Sequence, residues 1–70
     1  MMPLTLAKVG EESSIKKVGG REDTRQFLSK LGFVPGARIS VVTEISGNMI
    51  VSVKESRVAI SREMAAKIIV

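Results

Sequence analysis

The chain has 70 residues, with no cysteine, histidine, tryptophan or tyrosine. That length allows one domain, residues 1–70, with a small core and short loops, and the composition excludes disulfides, thiolate metal sites and a histidine general base. Eleven Lys and Arg against seven Asp and Glu leave a net +4, but the cations are spread along the chain. Only Phe27 and Phe33 are aromatic, so the dense, aromatic-interleaved basic stripe of a nucleic-acid binder is missing.

From the N-terminus, Leu4 and Leu6 alternate around Thr5 and predict a short first strand. Lys8 to Ser13 contains Gly10 and reads as a loop or turn. Ile15 and Val18 fit a short strand that stops at Gly19-Gly20. Arg21 to Leu31 is the strongest helix: Thr24, Phe27, Leu28 and Leu31 share one apolar face, and Glu22 and Asp23 stand where the dipole favours negative charge. Gly32 suits the left-handed position that closes it. About three turns are too few to be stable alone, so the helix must pack on a sheet.

Pro35-Gly36 fits the centre of a type II turn. Arg38 to Ile45 then alternates, which predicts Ile39, Val41, Thr43 and Ile45 on one face. Ser46-Gly47-Asn48 is a tight connection to a partner strand over Met49 to Lys54, and Glu55-Ser56 a second tight turn into a strand over Arg57 to Ile60, with Val58 and Ile60 inward. Ser61 is placed to cap a short helical turn (about 61–66), and Met64 and Ala65 to close one end of the core. Lys67 to Val70 is a last, apolar strand. Five to six short strands with one helix can bury a core in this length only by curling the sheet on itself, so the expected fold is mainly β, a small partly open barrel.

Reactive chemistry is scarce. No histidine can activate a serine, and Ser29-Lys30 are helix neighbours that do not face each other, so no enzyme activity is expected. The glycines match neither phosphate-binding pattern. Glu11-Glu12 and Glu22-Asp23 are the carboxylate candidates for a weak divalent metal site, although adjacent side chains diverge and no calcium-loop spacing is present. Met49 and Met64 read as core fillers. No apolar run approaches the ~20 residues of a membrane-spanning helix, and the start lacks a signal-peptide pattern, so a cytoplasmic protein is expected. What remains is a surface: Arg21, Arg25 and Lys30 on the outer face of the helix, with Phe33 and Val34 beyond it, form a candidate patch for docking a partner. Phe33 could equally cap the core.

The segment from Leu28 through Leu31-Gly32-Phe33-Val34-Pro35-Gly36 to Ile39 resembles the L-x-x-L-G-hydrophobic-x-P-G-x-x-I element of the FeoA family. Leu6 to Glu11 resembles the family's opening, with Gly10 one position early. Ile50-Val51-Val53 with Arg57 to Ser61 resembles its paired strands, and Met64 to Val70 its close. The family often has a longer loop with a glycine-aspartate-proline where this chain has Ser46-Gly47-Asn48. The resemblance implies an SH3-like barrel with an added helix. It also implies a non-enzymatic cytoplasmic accessory role in bacterial ferrous iron uptake, by contact with FeoB, a membrane permease with a GTP-binding domain. No resident cofactor is implied, ferrous iron being the weak exception. The alternatives are a weak divalent transition-metal-binding module and a DNA- or repressor-associated SH3-like domain; nucleic acid is not an expected partner.

Overall fold

The computed structural model describes the whole chain, residues 1–70. In order it has a 3-10 turn (Leu4–Leu6), β1 (Glu12–Ser14), β2 (Lys17–Val18), α1 (Glu22–Lys30), β3 (Arg38–Ile45), β4 (Asn48–Val53), β5 (Ser56–Ser61), α2 (Arg62–Ala65) and β6 (Ile68–Ile69). β1, β3, β4 and β5 form one antiparallel sheet in that order, and β2 pairs with β6 in a second.

The two sheets are one curled surface. Between β1 and β2 the chain bends at buried Ile15, whose N–H donates to the Ala37 carbonyl (2.9 Å), while the next N–H, of Lys16, donates to Ile69 (2.7 Å). One bent segment thus serves both sheets. Met2 and Val70 exchange both main-chain hydrogen bonds (2.9 and 2.8 Å), adding the N-terminal residues beside β6. Pairing therefore runs from Met2–Pro3 through β6, β2–β1, β3 and β4 to β5. The gap between the first and last of these is spanned at one end by α2, which touches β5, β4 and the 3-10 turn. The result is the partly open barrel expected, and it encloses a core of 13 apolar residues with no polar side chain among them.

Most elements lie where the sequence placed them. The helix starts after Arg21 and ends in two hydrogen bonds that define a glycine-closed terminus: Gly32 N–H to Ser29 (3.0 Å) and Phe33 N–H to Leu28 (2.9 Å), with Gly32 at φ +104°. Leu28 and Phe33, which flank that turn, are both buried. The Pro35-Gly36 turn closes with Ala37 N–H to Val34 (3.0 Å) and Gly36 at φ +90°. Ser61 caps α2, its hydroxyl accepting from Met64 N–H at 3.2 Å.

Four expectations are corrected. Leu4–Leu6 is a 3-10 turn, not a strand; Leu6 N–H reaches back to Pro3 and Ala7 N–H to Leu4, both at 3.0 Å. Strand pairing at this end falls instead on Met2 and Pro3, so Leu4 turns inward and Leu6 is left exposed. Glu12 and Ser13, read as the end of a loop, lie in strand β1 (Glu12–Ser14), because β3 offers it an antiparallel edge with Ser13 opposite Ile39. The second hairpin turn is Lys54-Glu55, since Val53 pairs with Ser56.

The fourth correction is the largest. Ile39 and Val41 are buried, but Thr43 and Ile45 are exposed. Val41 pairs with Val51 and Thr43 with Ile50, so Val42 is an extra residue in β3. Such a bulge reverses the inward–outward alternation beyond it. Glu44, opposite Met49, now stands on the barrel side at the rim, and its carboxylate takes Arg62 of α2 at 2.7 Å. Strict alternation in the sequence could not reveal the bulge.

Candidate interaction surface

The structure divides the residues that the sequence grouped as a docking patch. Phe33 is 1% exposed and belongs to the core, because the tight turn after α1 folds it back beside Leu28. Val34 is exposed. Arg21, Arg25 and Lys30 are all exposed. At 100° per residue around the axis, however, Arg21 and Arg25 lie on one flank of α1 and Lys30 near the other. Glu22, Gln26 and Ser29 form the ridge between them, bordering a shallow open depression that no hydrophobic residue lines. Phe27, read as core, is 46% exposed on the Lys30 flank. Only Leu28 of the nine helical residues is fully buried, so α1 rests on the barrel along a narrow stripe.

The carboxylates do not converge. Glu12 pairs with Arg38 across β1 and β3 (3.1 Å, both exposed), Glu22 accepts from Gln26 at 3.4 Å, and the Asp23 side chain takes the Thr24 N–H. Glu11 and Glu12 lie on the β1 side of the barrel and Glu22 and Asp23 at the start of α1; no three Asp, Glu, His or Cys side chains gather where they could hold an ion. Gly10, at φ +86° with open space around it, forms a turn whose N–H donates to Val41 (2.8 Å). Leu31, half-buried, packs against the core beside Gly32.

A second surface follows from the topology. β5 is the last strand of its sheet and pairs only with β4. In a two-residue hairpin the closing pair is hydrogen-bonded and bonding alternates from there. Closure at Val53 and Ser56 therefore turns the main-chain groups of Ser56, Val58 and Ile60 toward β4 and those of Arg57 and Ala59 outward. Arg57 and Ala59 are exposed. Only Arg38 and Arg62 make ion pairs, leaving Lys54, Arg57 and Lys30 free. Strand composition gave no sign of this edge, which depends on sheet order.

No helix is long and apolar enough to cross a membrane. Residues 2–70 match the FeoA domain. Over its full 70 residues the chain is 39% identical to a Methanocaldococcus jannaschii protein provisionally named Fe(2+) transport protein A, of which it spans 85%. The crystal structure of an iron uptake regulatory protein, FeoA, superposes with a TM-score of 0.87 at 29% identity, over 96% of this chain and 91% of that one. The FeoA of Stenotrophomonas maltophilia, crystallised with zinc and described as a prokaryotic SH3 domain protein, superposes with a TM-score of 0.85 at 20% identity, over 99% of this chain and 88% of that one. The barrel derived above is thus SH3-like. With the family's domain spanning residues 2–70 and a named relative matching end to end, the chain belongs to the FeoA family of ferrous iron transport.

Proposed function

We propose that this chain is a non-enzymatic accessory protein that works on the cytoplasmic side of a FeoB-type permease, docking on its soluble part and biasing its conformation. The observation that carries the reading is the family match over residues 2–70. The distribution of charge supports action by contact: titratable side chains lie on the surface, and the core contains none. A docked partner shifts a conformational equilibrium only by binding one state more tightly than the other, so the effect on transport reads out that difference.

The test is genetic and then biochemical. Removal of the chain should slow ferrous uptake and growth under iron limitation, and restoring it should rescue both only when the permease is present. Growth and uptake unchanged by its removal would sink the reading. In this account iron passes through the permease and the chain needs no resident cofactor. Anaerobic titration with ferrous ion should then leave the amide signals of Glu11, Glu12, Glu22 and Asp23 in place; localised shifts there would put metal on this chain.

A further inference from the structure

We propose that the outer edge of β5 is a docking strip for an extended, acidic segment of a partner protein, which joins the sheet as a further strand. The inference stands on the edge itself and not on which protein supplies the segment.

Sheet edges in stable proteins are commonly blunted by charged side chains, proline, a bulge, a covering element or shortness, and of these β5 carries only the charge of Arg57, which turns away basic strands and not acidic ones. β5 has six residues, no proline, and an unbroken register with β4 from Asn48–Ser61 to Val53–Ser56. The N–H and C=O groups of Arg57 and Ala59 face away from β4 and find no main-chain partner elsewhere in the chain. Ala59 is small and exposed, so its side chain does not hinder an approaching backbone. The barrel's other free edge differs: there Pro3 has no N–H and the chain leaves at once in a 3-10 turn.

Unpaired peptide groups spaced along a strand are complementary to another extended backbone and to little else. Charge selects among extended backbones. Lys54 and Arg57 are without ion pairs, and Glu55 is the one carboxylate between Gly47 and Ser61. The Lys54 stem runs under Gly32, its Cε 3.7 Å from where a Cβ would stand, which brings the strip against the end of α1 that carries Lys30. An acidic strand meets attraction along this line. A second copy of the chain brings the same net +4, so self-pairing is opposed.

The test titrates isotope-labelled protein with two capped peptides, Thr-Glu-Val-Glu-Val-Glu-Thr and its Lys-for-Glu counterpart, following amide shifts. The acidic peptide should shift Arg57 to Ser61 and slow hydrogen exchange at Arg57 and Ala59. It should bind at least about tenfold more tightly than the basic one, a preference that falls with salt. Arg57→Glu, an exposed change that leaves the β4 pairing intact, should weaken binding about tenfold. Ala59→Pro, which removes an outward N–H, should abolish the peptide-induced protection at Arg57, the other outward N–H. Absence of shifts at millimolar peptide, shifts confined to α1, or equal binding of the two peptides would overturn the proposal. So would concentration-dependent shifts at Arg57 and Ala59 without peptide, which would make the occupant a second copy.

Discussion

Gly32 and Gly36 share a positive φ and differ in what surrounds them. A Cβ at Gly32 would stand 3.2 Å from the Val53 Cγ2 as well as in a left-handed backbone (φ +104°), whereas one at Gly36 (φ +90°) would meet nothing within 4 Å. Gly36→Ala should therefore cost only the backbone term, about 1 kcal/mol, and Gly32→Ala more, about 2 kcal/mol; thermal or urea unfolding of both variants orders them. The hairpin turn between β3 and β4 invites the opposite change. Ser46 (φ 47°) and Gly47 (φ 82°) hold positive φ at both central positions, the geometry that Asn-Gly fits best. Ser46→Asn should stabilise the fold by about 0.5 kcal/mol. These glycines were legible as punctuation in the sequence; the extra cost at Gly32 was not, since it comes from a strand more than twenty residues away.

Among the elements, α1 depends most on a single side chain. Leu28 is its one fully buried residue, fixed at the same turn that brings Phe33 into the core. Leu28→Ala should cost about 3 kcal/mol and raise hydrogen exchange through Glu22–Lys30. Charge reversal at Arg25, exposed and unpaired, should change stability by no more than about 0.5 kcal/mol. The helix was readable because its cap, period and closing glycine agree. β3 was readable only up to Val41. Apolar alternation continues on paper through Thr43 and Ile45, but the bulge at Val42 turns both outward and gives the inward rim position to Glu44 and its partner Arg62. Local pattern cannot register an inserted residue whose compensation is a salt bridge to a helix 18 positions on. Likewise, the exposed side chains could be named from the sequence, but not their division between two flanks of α1, nor the free edge of β5.

For the molecule as a whole, the missing histidine and cysteine narrow the role of a ferrous transport component. The core is 13 apolar residues and the carboxylates are scattered, so the proposed contact falls to the surface. That surface is basic and its cations are mostly unpaired, so association with the partner should weaken as ionic strength rises. Contact with the permease is tested most directly by titrating the labelled chain with the cognate permease's soluble GTP-binding domain, monitored by amide shifts and by heat. Binding should be saturable and salt-sensitive, with shifts gathered on one face of the barrel. Absence of any shift or heat with the domain at high micromolar concentration would contradict it.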